Sequence, residues 1–509
     1  MPEPVALTGD DLRPEDVWQV AVERRTVELT DRARDRLAAA RALVDAHRDD
    51  HTYGVNTGFG RFVSQRIPEE DAVELQHRLL RSHACGVGDP YPDDVVRAAM
   101  LLRANALAKG YSGARVETVE LLLACLNAGL VPHVPSRGSV GASGDLAPLA
   151  HLALPLVGEG EVRLAGQRLA AADALARAGL QPIALAPKEG LSLINGTQFM
   201  AAMAALGLVR ARRLACAADI ACAQSLEALR GSRTSFMAAI HDARPLAGQR
   251  ASAANVRLLL EGSAIIESHR WCDKVQDAYS LRCAAQVHGA SRDLLDYVER
   301  TVSVELNAAT DNPLVLVDEG IIVSNGNFHG QPLAFALDAL AMAAAELASI
   351  SERRLERMVN PSLSDGLPPF LTVEGGLNSG FMIPQYVAAS LVSENKVLSH
   401  PASVDSIPTS AGQEDHVSMG NAAGLKALQV LDNAERALAI ELIAGAQAVE
   451  FLAPLQPGRG VVATRAFVRT RSAQLREDRS LSGDIEAVAA SIREGALLAA
   501  VEREVGSLA

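Results

Sequence analysis

The stretch Pro332-Leu-Ala-Phe-Ala-Leu-Asp-Ala-Leu-Ala-Met-Ala-Ala-Ala-Glu-Leu-Ala-Ser-Ile350 is built almost wholly from Ala, Leu and other apolar residues. Its apolar positions recur at helical spacing, and the pattern continues to Met358. Ala and Leu stand at the top of the helix-propensity order, so composition and period agree. Phe199 to Leu229, Pro384 to Leu398 and Gly420 to Phe451 repeat the pattern. Such segments are too apolar to stand alone in water and are expected to pack as a bundle. Gln331 to Ile350 comes nearest to a membrane span, but Asp338 and Glu346 interrupt it, so no transmembrane helix is expected. The fold class expected is mainly α: a long central helical bundle over 196–509, with a smaller mixed region, 1–195, that carries loops.

Composition narrows the function. The chain has 509 residues, with 48 basic against 61 acidic side chains and a net charge of −13. A field of that sign repels nucleic acid and anionic membrane, and no Lys/Arg cluster offsets it. A small zwitterion is compatible with it. The six cysteines form no C-x-x-C pair and are expected as thiols. The 12 histidines show no H-E-x-x-H or H-x-x-x-H spacing with a third ligand, so no metal site is expected. Acidic residues through the first twenty positions leave no secretory apolar segment, and the chain is expected in the cytoplasm.

The N-terminal region alternates helices with Gly-rich loops. Thr30 is expected to cap a helix reaching about Asp45. The loop Tyr53-Gly-Val-Asn-Thr-Gly-Phe-Gly60 follows, then a helix from about Pro68 to Cys85-Gly86. Asp93 to Lys109 and Arg115 to Asn127 read as two more helices. Glu161 to Ala165 with Gly166, and Leu314-Val-Leu-Val317 with Ile321-Ile-Val323, read as hairpins.

Between these elements lies Gly138-Ser-Val-Gly-Ala-Ser-Gly-Asp-Leu-Ala-Pro-Leu149. A Gly-Ser-Gly run is ordinarily a turn. A serine-hydrolase elbow needs G-x-S-x-G, and Asp145 stands where the last Gly belongs. A third reading is a self-made electrophile. The Gly144 nitrogen attacks the Ala142 carbonyl carbon, water leaves, and loss of the Ser143 hydroxyl leaves an exocyclic methylidene. Small Ala142 and Gly144 without a Cβ allow the backbone to fold onto itself.

The run Gly141-Ala-Ser-Gly-Asp-Leu-Ala-Pro-Leu149 resembles the signature of the aromatic amino acid ammonia-lyase family, and further motifs match in order from Tyr53 to Gly420. The resemblance implies a methylidene-imidazolone formed autocatalytically from Ala142, Ser143 and Gly144, with no metal and no pyridoxal phosphate. It implies a homotetramer whose pockets draw on more than one subunit. Arg282, in Val275-Gln-Asp-Ala-Tyr-Ser-Leu-Arg282, resembles the residue that grips the substrate carboxylate, a task suited to a guanidinium fork. Gln276 and Tyr279 resemble polar supports around the prosthetic group. Asn195 resembles a donor to the imidazolone oxygen, drawing electrons from the methylidene as an oxyanion hole would. Phe328 resembles an aromatic packed near the ring. Tyr53 resembles the β-proton base; a phenol titrating near 10 needs tuning for that task.

Two motifs bear on the substrate. Ser82-His83 resembles the pair of family members that act on L-histidine, where tyrosine-selective ones carry His-Leu and phenylalanine-selective ones Phe-Leu. Glu414, in Thr409-Ser-Ala-Gly-Gln-Glu-Asp-His-Val-Ser-Met-Gly420, resembles their acidic residue, where phenylalanine-selective members carry Gln. Imidazole offers nitrogens that a carboxylate and a His can bond, whereas a phenyl ring would leave a buried Glu unpaired. The expected reaction is elimination of ammonia from L-histidine to give trans-urocanate, opening histidine degradation. A tyrosine or phenylalanine lyase, an aminomutase on the same scaffold, and a non-catalytic helical assembly protein are the alternatives. Gly330-Gln331 and Cys85 depart from the family's usual pattern and bear on fine substrate tuning.

Overall fold

The computed structural model describes residues 3–47, 57, 64–68 and 71–509. Tyr53 and most of its loop lie outside the described residues. The chain divides into two compact units, one formed by 1–206, 299–338 and 401–425, the other by 207–298, 339–400 and 426–509. Residue 195, where a single boundary was expected, falls inside the first unit.

In the first unit the Asp93–Ala108 helix is buried along nearly its whole length and packs against Pro14–Ala21 and Val116–Asn127. A helix buried on all sides needs no polar stripe, which is why its apolar run shows little amphipathic bias. Thr30 caps Asp31–Ala46, its hydroxyl accepting from the Ala33 amide at 3.3 Å. The Ala72–His83 helix begins after a turn in which the Asp71 amide donates to Pro68, so it starts four residues later than its proline suggested. The strands are short accessories. Glu161–Leu164 and Gln167–Ala170 form a hairpin, to which Val131–Pro132 adds a third strand. Leu314–Leu316 pairs with Ile321–Val323, and Val315 packs into a small core with Ala40 and Val44. Pro135–Arg137 pairs with Val87–Pro90. The loop after His83 and the run entering Gly138 thereby start from one strand pair.

Long helices dominate the molecule. Gln198–Ala228, Gln331–Val359, Met382–Leu398 and Gly420–Glu450 each lie within two residues of the bounds their apolar period indicated. Gln331–Val359 is long and apolar enough to cross a bilayer, but 72% of its most apolar window is buried in the protein, as in a core helix.

In the second unit the long helices carry buried charge. Glu441 receives Arg354 Nε and Nη2 at 2.5 and 2.9 Å and the hydroxyls of Ser225 and Ser351 at 2.6 Å each. Asp219 receives Ser252, Asn255, His288 and Arg292 within 2.9 Å. His288 joins the two centres, its Nδ1 on Asp219 and its Nε2 accepting from Arg354 at 3.3 Å.

Candidate active site

Ala142-Ser143-Gly144 forms a tight turn between the Pro135–Arg137 strand and the Leu146–Ala153 helix. Ala142 and Gly144 face one another as an isolated bridge, so the chain doubles back over Ser143. Gly144 has φ +69°, and a Cβ there would fall 2.0 Å from the Gly196 carbonyl oxygen. Only glycine fits that approach. The Asp145 amide donates to the same oxygen at 2.7 Å.

Asp145 is fully buried, and sequence reasoning noticed it only as the residue that breaks a hydrolase elbow. Its Oδ2 accepts the amides of Phe199 and Met200 at 3.0 Å each, so it caps the Gln198–Ala228 helix from 54 residues away. Amides at a helix start attract an anion. Oδ1 accepts from Ser139 at 2.9 Å. Burial nevertheless outweighs these donors and pushes the carboxyl up to about 6. No spacing rule in the sequence signals such a remote cap.

Asn195 ends the six-residue Glu189–Ile194 helix. Its Nδ2 donates to the Ser143 carbonyl oxygen at 3.3 Å, while its Oδ1 is buried without a partner among the described residues. Buried polar groups seat this short helix. Lys188, at its start, donates to Asp311 at 2.8 Å; Glu189 accepts from Arg115 and Thr118; the Gly190 amide donates to Gln76 at 2.9 Å.

The Ser143 hydroxyl donates to Glu414 Oε1 at 2.8 Å across 271 positions of sequence. Glu414 Oε2 accepts from Thr409 at 2.6 Å, and the backbones of the two residues pair as well. Both oxygens thus act as acceptors. His83 closes the Ala72–His83 helix, with Nδ1 2.9 Å from the Leu79 carbonyl. A carbonyl only accepts, so that contact puts the proton on Nδ1 and leaves Nε2 as the acceptor. Burial lowers the His83 pKa and keeps the ring neutral, against the pull of Glu414. The Gly86 amide donates to His151 Nε2 at 3.1 Å, which ties the His83 loop to the helix that follows the Ala142–Gly144 turn.

Phe328 is half-buried, and two residues on, the Gly330 amide points at the Gly141 carbonyl at 3.5 Å. Ser418 donates to Gly141 from another side at 2.9 Å. His329 stacks on His416 with ring centroids 5.7 Å apart. The first unit therefore gathers Ala142, Ser143, Gly144, Asn195, His83 and Glu414 about one turn.

Gln276, Tyr279 and Arg282 belong to the second unit and form their own cluster. Arg282 Nη2 donates to Gln276 at 3.1 Å, Nε donates to the Asp277 carbonyl at 3.0 Å, and the guanidinium lies 4.5 Å from the Tyr279 ring centre. Gln276 and Arg282 line a cavity of about 740 Å³, with Arg233, Lys274 and Arg270 adding positive charge.

The helical fold, the doubled-back Ala-Ser-Gly turn and its polar ring define a class. The aromatic amino acid lyase family model matches residues 12–470, and the chain belongs to that family. Among its relatives is the histidine ammonia-lyase of Gloeobacter violaceus, 55% identical over 506 residues, covering 99% of this chain and 98% of that one. A crystal structure of histidine ammonia-lyase from Trypanosoma cruzi superposes with a TM-score of 0.92 at 46% identity, covering 99% of this chain and 96% of that one. Tyrosine aminomutase from Streptomyces globisporus gives 0.95 at 39% identity over the full length of both. Backbone likeness thus does not separate substrates, and the side chains of the pocket must.

Proposed function

We propose that this protein is a carbon–nitrogen lyase that eliminates ammonia from L-histidine to give trans-urocanate, the first step of histidine degradation, and that it works in the cytoplasm. The observation that carries the substrate choice is the pair formed by Glu414 and His83 beside Ser143. Glu414 is held by Thr409 and Ser143, and the Leu79 carbonyl on Nδ1 leaves His83 Nε2 as an acceptor. An imidazole edge satisfies both, and a phenyl edge satisfies neither.

The residues at the turn fit a methylidene-imidazolone made from Ala142, Ser143 and Gly144. Gly144 is folded toward Ala142 in a space with no room for a Cβ. Asn195 Nδ2 already donates to the Ser143 oxygen that such a ring retains. When formed, the group supplies an electrophilic carbon that takes up the substrate amine and turns nitrogen into a leaving group. Asn195 draws electron density toward that oxygen, as donors do in an oxyanion hole. Glu414 and His83 orient the imidazole, Arg282 receives the carboxylate, Gln276 and Tyr279 are polar supports around the prosthetic group, Phe328 packs beside the turn, and Tyr53 takes the β-proton.

A homotetramer completes this reading, with one copy's Arg282 cluster serving another copy's Ser143 turn. Trp271, Val275 and Tyr279 expose 88, 93 and 70% of their surface along the segment that carries Gln276. Apolar exposure of that size on one short segment suits burial against a second chain.

The test is a near-ultraviolet assay with L-histidine, L-tyrosine and L-phenylalanine in parallel. Urocanate from histidine alone is expected. Coumarate or cinnamate as the main product would keep the chemistry and overturn the pocket assignment. The Glu414→Gln variant should lower kcat/KM for histidine by about 10- to 100-fold.

A further inference from the structure

Arg103 sits on the Asp93–Ala108 helix with none of its surface exposed. Its Nη1 donates to the Asn195 carbonyl oxygen at 2.6 Å and to Gln198 Oε1 at 3.0 Å. Its Nε and Nη2 are buried without partners among the described residues. The anion nearest in charge, Asp311, is engaged by Lys188 Nζ at 2.8 Å and by the Asn312 amide at 2.7 Å. Burial lowers the guanidinium to about 10, so it remains a cation at neutral pH. A buried, incompletely bonded cation is costly, and an apolar side chain of similar size would serve stability better. Such a cost is characteristic of a residue kept for what it positions.

What it positions is visible in the packing around Gly196. A Cβ on Gly196 would meet Gln198 Oε1 at 2.5 Å, Arg103 Nη1 at 2.7 Å and Thr310 Oγ1 at 2.8 Å. Gln198 is itself aimed, its Nε2 donating to Thr310 at 3.0 Å. These three side chains form a wall behind Gly196. On the other face, the Gly196 carbonyl leaves no room for a Cβ on Gly144 and receives the Asp145 amide. The order is wall, Gly196, Gly144. The residue whose carbonyl Arg103 grips, Asn195, also holds the Ser143 carbonyl through its side chain.

We propose that Arg103 is a positioning residue for ring closure: through Asn195 and Gly196 it presses Gly144 toward Ala142 and holds the Ser143 carbonyl in place. This rests on the reading that the prosthetic group forms here. Closure makes the bond from Gly144 N to the Ala142 carbonyl carbon. The first water takes the Ala142 oxygen with the protons of Gly144 N and Ser143 N. The second takes the Ser143 hydroxyl with the Ser143 Cα proton. No oxidant or reductant is required. Ordering the reacting atoms lowers the barrier because the entropy of bringing them together is met on folding.

The test is the intact mass of the freshly folded chain followed over time, since each closed ring leaves the chain lighter by two waters. Arg103→Met and Arg103→Lys are compared with wild type, with circular dichroism and thermal melting as checks of folding. The expected result is a folded protein whose mass deficit develops about tenfold or more slowly in Arg103→Met, with partial rescue in Arg103→Lys, as loss of a charge-assisted hydrogen bond implies. A folded Arg103→Met that loses two waters at the wild-type rate overturns the proposal. Should neither Arg103 variant fold, Gln198→Met decides, because it keeps the guanidinium and removes the side-chain acceptor that aims Nη1, together with the bond to Thr310: slowed loss supports the clamp and wild-type loss overturns it. Wild-type protein that never shows the deficit would instead overturn the prosthetic-group reading, so the two failures are told apart.

Discussion

The network around Asp219 and Glu441 in the second unit and the surroundings of the Ser143 turn in the first both bury charged side chains, but they treat them differently. In the second unit Asp219 and Glu441 each accept four hydrogen bonds, and His288 links them. Around the turn, Arg103 Nε and Nη2 and Asn195 Oδ1 have no partner among the described residues, and Asp145 is protonated far more readily than a free carboxyl. Low dielectric strengthens a completed network and penalises an incomplete one. The contrast separates charge that fixes helix packing from charge that prepares a reaction.

The largest expected effect lies at the turn. Ser143→Ala should fold with an unchanged melting temperature and lose turnover by a factor on the order of a thousand or more. Urocanate formation near the wild-type rate would remove the chemical half of the contrast.

Next comes the second unit. Glu441→Gln keeps the shape but leaves Arg354 facing a neutral partner, and should cost about 3–5 kcal/mol in urea denaturation. A cost within about 1 kcal/mol would mean that this network does not hold the helices as described.

The pH dependence of stability has opposite signs at Asp219 and at Asp145. Arg292 and the hydrogen bonds from His288 and Ser252 hold Asp219 down to about 2 against burial, so its contribution is present above about pH 4 and is lost as pH falls toward 2. His288 is kept neutral by burial, so stability falls as pH drops below about 6.5, where the unfolded imidazole takes a proton. Asp145 is raised to about 6, so the folded chain holds an extra proton there, and stability falls as pH rises from about 4 to 6. Asp145→Asn removes this opposing contribution. Melting temperature should then climb more steeply over that window than in wild type, and an equal or shallower slope would contradict the assignment.

The smallest effect concerns a local signal that both sequence and structure display. Thr30→Ala should cost about 1 kcal/mol, seen as faster hydrogen exchange at the Ala33 amide. Unchanged exchange would show the cap to be redundant.

Much of the fold was legible because it is written in short-range pattern. A 3.6-residue period gave the long helices almost to the residue, Thr30 marked a helix start, and Gly166 marked a hairpin turn. The Ala142–Gly144 motif could also be read locally, since its chemistry involves three consecutive residues. Where the remaining groups lie is a matter of distant encounters. Ser143 meets Glu414 across 271 positions, Arg103 meets Asn195 across 92, and Asp145 caps a helix 54 residues on. No period encodes these meetings. They arise because buried helices bring their polar groups to each other's ends, where unpaired backbone and charge must find partners. Gln276, Tyr279 and Arg282 are likewise assigned to a different unit from Ser143 by the folded chain, since motif order along a sequence carries no information about which body each motif joins.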